Sequence, residues 1–421
     1  MKMASSVAAA AALAMIAGSY SAPADAQKKG KQAAAAAAPA QPAQWTAKLS
    51  KEEAVALQAV EKAMAANDWA AASAALAAAQ PIATSPDARF FIGQYQYKIG
   101  SGTNNPQLQS QGVDAMAASG GGDPSKSALV FKVQWQHAVQ AKDWAKAEAA
   151  NARWAQLAPN DPELPLASAE MKFRANKPAE AFPLFQRIIA AQEAAGQTVG
   201  EPIYLFALQS AANAKMWPQA LTVSKTLVEK YPNQKNWRNA LLIFRQSGSG
   251  ESSTQLDTLR LMRAAKSLDT RDEYLALADL LARGRFYAEA KSVIEEGYAS
   301  GKLPRGTSDA TAIVTEVNAR IAPDRAALPP LEARARSGAN GQLALKIAEG
   351  YYGHGDYAKA AELYRMALQK GGVEPNLVNT RLGMALALAG QRAEAQAAFK
   401  AVGGPRTSLA SYWLIWLSQR A

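Results

Sequence analysis

Two histidines and no cysteine are all that this 421-residue chain offers toward the commonest metal and nucleophile chemistry. A zinc site takes three or four ligands at set spacings. His137 lies beside Trp135 in an apolar stretch, and His354 lies in the turn Gly353-His354-Gly355; neither has a partner at ligand spacing. Both read as packed or solvated histidines. The missing cysteines exclude disulfides, thiolate sites, cysteine nucleophiles and lipidation of an N-terminal cysteine. Glu295 and Glu296 are adjacent, so on a helix they point apart and make no acid–base pair. A glycosidase pair assembled from distant segments has nothing to support it. The glycine-rich stretches at 119–122 and 248–250 are not flanked by strands, so they are loops and not phosphate cradles. No nucleophile elbow, Walker loop or dinucleotide fingerprint occurs. The sequence therefore predicts a non-enzyme, with no catalytic residues, no metal and no cofactor.

Alanine is heavily used, which favours helices that approach closely. A local pattern then recurs. Asp68-Trp69-Ala70-Ala71-Ala72, Asp143-Trp144-Ala145-Lys146-Ala147, Met216-Trp217-Pro218-Gln219-Ala220, Phe286-Tyr287-Ala288-Glu289-Ala290 and Asp356-Tyr357-Ala358-Lys359-Ala360 each place an aromatic three residues before an alanine. Pro178 with Ala181, and Arg392 with Ala395, repeat it without the aromatic. Steps between successive alanines are about 35 residues or near twice that, so degraded copies are expected in the longer gaps. Asp68, Asp143 and Asp356 sit where a helix would be N-capped. Four residues past the alanines come Leu76, Phe185, Ile294, Tyr364 and Phe399, the same helical face. Ser50 with Glu53 and Thr270 with Glu273 read as capping boxes.

These features resemble the tetratricopeptide repeat (TPR) family, whose 34-residue unit is a pair of antiparallel helices. The copy at 376–402 carries Leu382-Gly383, Ala395 and Phe399; that at 201–232 carries Tyr204, Trp217, Ala220 and Pro232; that at 341–371 carries Ala348, Tyr351, Tyr357, Ala360, Tyr364 and Ala367. Trp135 and Leu208 stand where the family has a small residue. The gaps read as further hairpins: 88–99 with 107–118, 237–245 with 254–268, and 310–321 with 328–336. A terminal helix over 407–419 would cover the end. The resemblance implies an all-α solenoid of antiparallel helical hairpins, about ten of them, in a right-handed superhelix. It also implies a concave groove lined by first helices that binds a partner peptide or helix. Mapped onto this chain, the groove takes Lys132, Gln136 and Gln140, then Glu170 and Arg174, Gln209 and Asn213, Asp279 and Arg283, Lys346 and Glu349, and Arg381. The Lys/Asn carboxylate clamp of some family members is not reproduced.

Lys2, the apolar run Val7–Ala17 and the small-residue site Ala24-Asp25-Ala26 read as a secretory signal over 1–26, cleaved near Ala26–Gln27. The run is too short to span a bilayer. Residues 27–48 form an Ala/Pro/Lys-rich disordered linker. Its Lys28, Lys29 and Lys31 permit a weak contact with an anionic envelope surface. The superhelix divides into 49–299 and 308–421, with the break in the Gly/Pro/Ser-rich stretch between. Net charge is +11. Acids are interspersed with the bases along the helices, so nucleic acid is not an expected partner. The expected function is a protein-binding scaffold or adaptor in the periplasm or cell envelope. The alternative is a structural accessory subunit of an envelope secretion or polysaccharide-export machine.

Overall fold

The computed structural model describes residues 45–248 and 252–420. The expected signal, and the linker as far as residue 44, lie outside the described residues. Residues 45–48 are held down: Trp45 packs 6.4 Å from Phe91, and the Lys48 amide donates to Asp87 at 2.7 Å.

All regular elements among the described residues are helical, as an α-solenoid requires. The first four hairpins are α1 (Lys51–Ala65) with α2 (Trp69–Ala79), α3 (Pro86–Gly102) with α4 (Pro106–Ser119), α5 (Ser127–Gln140) with α6 (Trp144–Leu157), and α7 (Leu164–Arg174) with α8 (Pro178–Ala194). Three more follow: α9 (Glu201–Asn213) with α10 (Trp217–Lys230), α11 (Gln234–Gln246) with α12 (Ser252–Ala264), and α13 (Arg271–Arg283) with α14 (Tyr287–Ala299). After the long α15 (Ser308–Ser337) come α16 (Gln342–Gly353) with α17 (Tyr357–Lys370), α18 (Pro375–Leu388) with α19 (Arg392–Lys400), a 3-10 turn (Gly404–Arg406) and the terminal α20 (Thr407–Ser418).

The hairpin corners share one backbone solution. Past the first helix, one residue turns left-handed: Asn67, Asn104, Lys142, Asn176, Lys215 and Arg285, with Gly248, Gly355 and Gly390 at the remaining corners. The next amide then reaches a carbonyl five residues back, as Asp68 does to Ala63 at 3.1 Å and Asp143 to Ala138 at 2.9 Å. This closes the first helix and aims the chain back along it. Asp68 and Asp143 cap the second helix by accepting from Ala71 and Lys146. Asp356 makes no such bond, because Arg325 pairs with its carboxylate instead.

The helices gather into two compact units, one ending at Leu184 and one beginning at Phe185. In the first unit the core is a series of small apolar clusters, such as Leu57, Val60, Ala72 and Leu76, then Phe90, Tyr97, Val113 and Met116. Helices α3 and α4 touch backbone to backbone: a Cβ on Gly93 would lie 2.6 Å from the Met116 nitrogen, and one on Gly112 would lie 2.5 Å from that of Tyr97.

The capping box that opens α1 does a second job. Glu53 accepts from the amides of Ser50, Thr84 and Ser85 and from the Ser85 hydroxyl at 2.7–2.9 Å, tying the first hairpin to the start of the second. Burial alone raises a carboxyl pKa, but these donors outweigh it and hold Glu53 at about 2. The folded pKa is depressed, so the stabilisation is present above the ordinary glutamate range and is lost as pH falls toward 2. Glu53→Gln is expected to lower stability by about 1–2 kcal/mol at neutral pH. Urea unfolding at pH 7 and pH 3 checks it: the gap between variant and parent should narrow at pH 3.

The second unit has one continuous core that runs from Leu221 to Leu417. Its main departure from expectation is α15, one helix of 30 residues where the sequence predicts a hairpin over 310–321 and 328–336. No glycine occurs between 308 and 337 to make a left-handed corner. The three internal prolines, Pro323, Pro329 and Pro330, are exposed, so the carbonyls they leave unpaired face water. Each half of α15 also has its own partner. Asp309 pairs with Arg271 of α13 at 3.0 Å, whereas Leu328 sits over Gly350 of α16 and Glu332 pairs with Lys359 of α17 at 2.7 Å.

Candidate functional site

Replacing a hairpin by one helix reverses the order of the layers beyond it. Side chains in the second unit join odd helices to odd ones: Arg238 of α11 to Glu273 of α13, Arg271 of α13 to Asp309 of α15, Glu332 of α15 to Lys359 of α17. They likewise join even to even, such as Arg260 of α12 to Glu289 of α14 at 2.6 Å, and Ser224 of α10 to Tyr412 of α20 at 2.6 Å. Before α15 the even row holds second helices of hairpins; after it, that row holds first helices.

The expected groove residues, all on first helices, therefore divide. In the second unit Gln209, Asn213, Asp279 and Arg283 stand on the odd row. Asp279 and Arg283 pair with each other at 3.0 Å, and Gln209 and Asn213 are exposed. Lys346, Glu349 and Arg381 stand on the even row. There Lys346 is exposed, but Glu349 and Arg381 face one another as an internal ion pair. In the first unit Lys132 is turned toward the acids ahead of α7, 2.7 Å from Glu163, with its ammonium 5.1 Å over Trp154. Glu170 and Arg174 pair along α7 at 3.5 Å, Gln136 is half-buried and Gln140 is exposed.

The even row meets at a buried ionic centre. Asp257 of α12 is fully buried, with Arg406 at 2.8 Å, Arg381 at 3.4 Å and Arg260 at 3.7 Å. The Arg260 guanidinium lies 4.5 Å from the ring centres of both Phe286 and Tyr352, and it also bonds Glu289. Burial raises the Asp257 pKa, but Arg381, Arg260 and Arg406 together outweigh that and hold it below the usual carboxylate value. Around it four arginines (260, 263, 381, 406) meet four acids (257, 289, 296, 349). The charge balances internally, so the centre has no surplus with which to hold a charged ligand; it joins helices. Sequence reasoning missed it, since α12 reads as an ordinary amphipathic helix with charges for solvent. The available signal was Asp257 and Arg260 at i, i+3 between leucines.

The odd row is different in kind. Tyr204, Trp237 and Tyr274 occupy the same buried position in α9, α11 and α13. On the register they set, one side of the three helices shows Leu205, Gln209 and Asn213; then Asn239, Leu242 and Gln246; then Leu275, Asp279 and Arg283. The leucines are half-buried. The carboxamides of Gln209, Asn213, Asn239 and Gln246 bond to no other described residue. A carboxamide offers one acceptor and two donors, which matches the main chain of a bound segment, and the leucines offer apolar contact. Leu205, Asn239, Leu242 and Gln246 were absent from the sequence-derived set because the α11–α12 hairpin lacks the aromatic-x-x-Ala pattern; Trp237, aligned with Tyr204 and Tyr274, was the signal to follow.

Neither histidine has a metal-binding neighbourhood. His137 stacks edge-on against Tyr97, with ring centres 5.9 Å apart, and burial lowers its pKa against a nearby Asp114. His354 bonds Asp324 of α15 at 2.9 Å. Among the described residues no cluster of three His, Cys, Asp or Glu is placed to hold a metal ion, and no helix is long and apolar enough to cross a membrane.

No family model matches the sequence, and no curated protein matches it. Among solved structures the chain is similar to one titled as Naa15/Naa10 bound to HypK-THB, at 12% identity and a TM-score of 0.32, over 85% of this chain and 65% of that one. It thus spans under two thirds of that relative's length. It is also similar to yeast Tom70, at 10% identity and a TM-score of 0.21, over 88% of this chain and 89% of that one. A third is the APC/C hetero-tetramer Cut9-Hcn1, at 12% identity and a TM-score of 0.20, over 86% of this chain and 83% of that one. At these identities and scores none of the three bears on the residues of the odd row.

Proposed function

We propose that this chain is a non-catalytic protein-binding scaffold, exported to the periplasm or cell envelope, that takes a segment of its partner along the first helices of the second unit. The observation that carries the reading is the set of four carboxamides, Gln209, Asn213, Asn239 and Gln246, without internal partners and interleaved with Leu205, Leu242 and Leu275. Surface residues of a helix that serve only solvation have no need of apolar neighbours at the same register, and such mixed rows suit peptide recognition. The even row cannot serve in the same way, because its own helices and the ionic centre fill it.

The test is in-cell photo-crosslinking with a crosslinking amino acid at Gln209 or Gln246, beside a control at Gln140, followed by purification from the periplasmic fraction. The reading expects one protein adduct from the first two sites, lost when Leu242→Asp is added. Adducts at Gln140 alone would move the binding face to the first unit, and no adduct at any site would remove the scaffold reading. Recovery of one fixed-stoichiometry complex under all conditions would favour the accessory-subunit role. Absence from the periplasmic fraction would defeat the proposed export.

A further inference from the structure

In an open stack of hairpins each repeat touches its neighbours only, so the ends fray and stability is a sum of local terms. The second unit departs from that rule. Tyr412 of α20 bonds Ser224, 188 positions earlier, at 2.6 Å. Gln419 accepts from the Trp237 indole at 3.2 Å and donates to the Val228 carbonyl at 2.8 Å. Arg420 donates to the Ala264 carbonyl at 3.1 Å. Arg406, in the turn just ahead of α20, is buried against Asp257, 149 positions earlier. The end of the chain is therefore fastened to the beginning of its own unit.

We infer that the Arg406–Asp257 contact is a latch: it couples α20 to α12, so that the second unit opens only as a whole and the C-terminal helix cannot leave by itself. Three features single out Arg406. It is the ion-pairing residue nearest the hinge Gly403-Gly404-Pro405, where Gly404 takes φ of 59°. Its removal leaves Asp257 still facing Arg381 and Arg260, so the loss falls on the tether and not on the whole centre. Beyond it α20 buries Tyr412, Trp413, Trp416 and Leu417, a surface that becomes adhesive on release. The latch thus governs whether the protein shows that aromatic helix to its surroundings.

Hydrogen exchange on the full chain tests this. In the parent, the amides of α20 should exchange at the same slow rate as those of α12, through one shared opening. Arg406→Gln should speed exchange in α20 by about a hundredfold, the order expected when a buried ion pair loses one partner, while α12 slows or speeds by less than about threefold. Arg406→Lys, which keeps the charge, should restore most of the protection, and Tyr412→Phe should raise exchange in both helices alike. The inference fails if α20 already exchanges much faster than α12 in the parent. It also fails if Arg406→Gln speeds both helices equally, or if Arg406→Gln cannot fold while Arg406→Lys is no better.

Discussion

Asp257→Ala is expected to destabilise the second unit by about 3–5 kcal/mol, the cost of leaving buried charges without their counter-ion. Three guanidinium groups, from Arg406, Arg381 and Arg260, converge on this carboxylate from three separate parts of the chain, and solvent reaches none of them readily. The side chain lost is small, so cavity formation contributes little and the electrostatic loss dominates. The pH dependence gives an independent signature. Asp257 titrates below the ordinary aspartate value in the folded state, so its contribution is full above that value and disappears as pH falls through the lowered one. Urea unfolding at neutral pH should therefore show the full penalty, and the difference between parent and variant should shrink in strong acid. Salt should change the penalty little, because buried pairs are poorly screened. A penalty under about 1 kcal/mol, or one abolished by moderate salt, would show that the centre behaves like a surface cluster.

Such a penalty does not mean that the ionic centre makes the fold stable. Well-packed apolar residues often replace buried ion networks without loss. What the network can supply is uniqueness of arrangement. The even row consists of helices with similar apolar faces, and a slip of one turn would leave arginines opposite arginines. The balanced set of four and four admits one register.

Much of the fold was legible because hairpin packing leaves a local trace. The aromatic and the alanine three residues on lie in one turn of one helix, and the caps at Ser50, Thr270, Asp68 and Asp143 act within three residues. Such signals survive in a single sequence. The long α15 was not legible, since prolines at 323, 329 and 330 argue locally for a break. The structure tolerates them because water takes up the freed carbonyls and both halves of the helix find partners. The site was harder still. Groove positions were assigned by counting along first helices, and one fused helix changes which row those helices join. Arg381 and Glu349 look like neighbours of Gln209 in a repeat register, yet they serve the ionic centre. No local pattern marks Asp257, whose partners lie up to 149 positions away.

Trp413→Ala is expected to cost the second unit about 3–5 kcal/mol, the upper range for emptying a packed aromatic site. Trp413 is fully buried in α20. It stacks on Phe399 with ring centres 5.8 Å apart and planes 13° from parallel, and Trp416 meets it edge-on at 5.2 Å. Phe399 in turn lies against Gly383, where an added Cβ would come within 2.6 Å of the ring. The column Gly383, Phe399, Trp413 and Trp416 thus passes through α18, α19 and α20, and no neighbour in it can move inward without leaving another gap. The indole N–H of Trp413 has no acceptor within the protein. Trp413→Phe keeps a flat ring while removing that unsatisfied donor, which itself costs about 1–3 kcal/mol when buried. It should therefore be far milder than Trp413→Ala, within about 1.5 kcal/mol of the parent. Thermal and urea unfolding of both variants separate the two contributions. If Trp413→Phe proves as damaging as Trp413→Ala, the indole nitrogen is bonded in solution and the column depends on that bond as well as on ring packing.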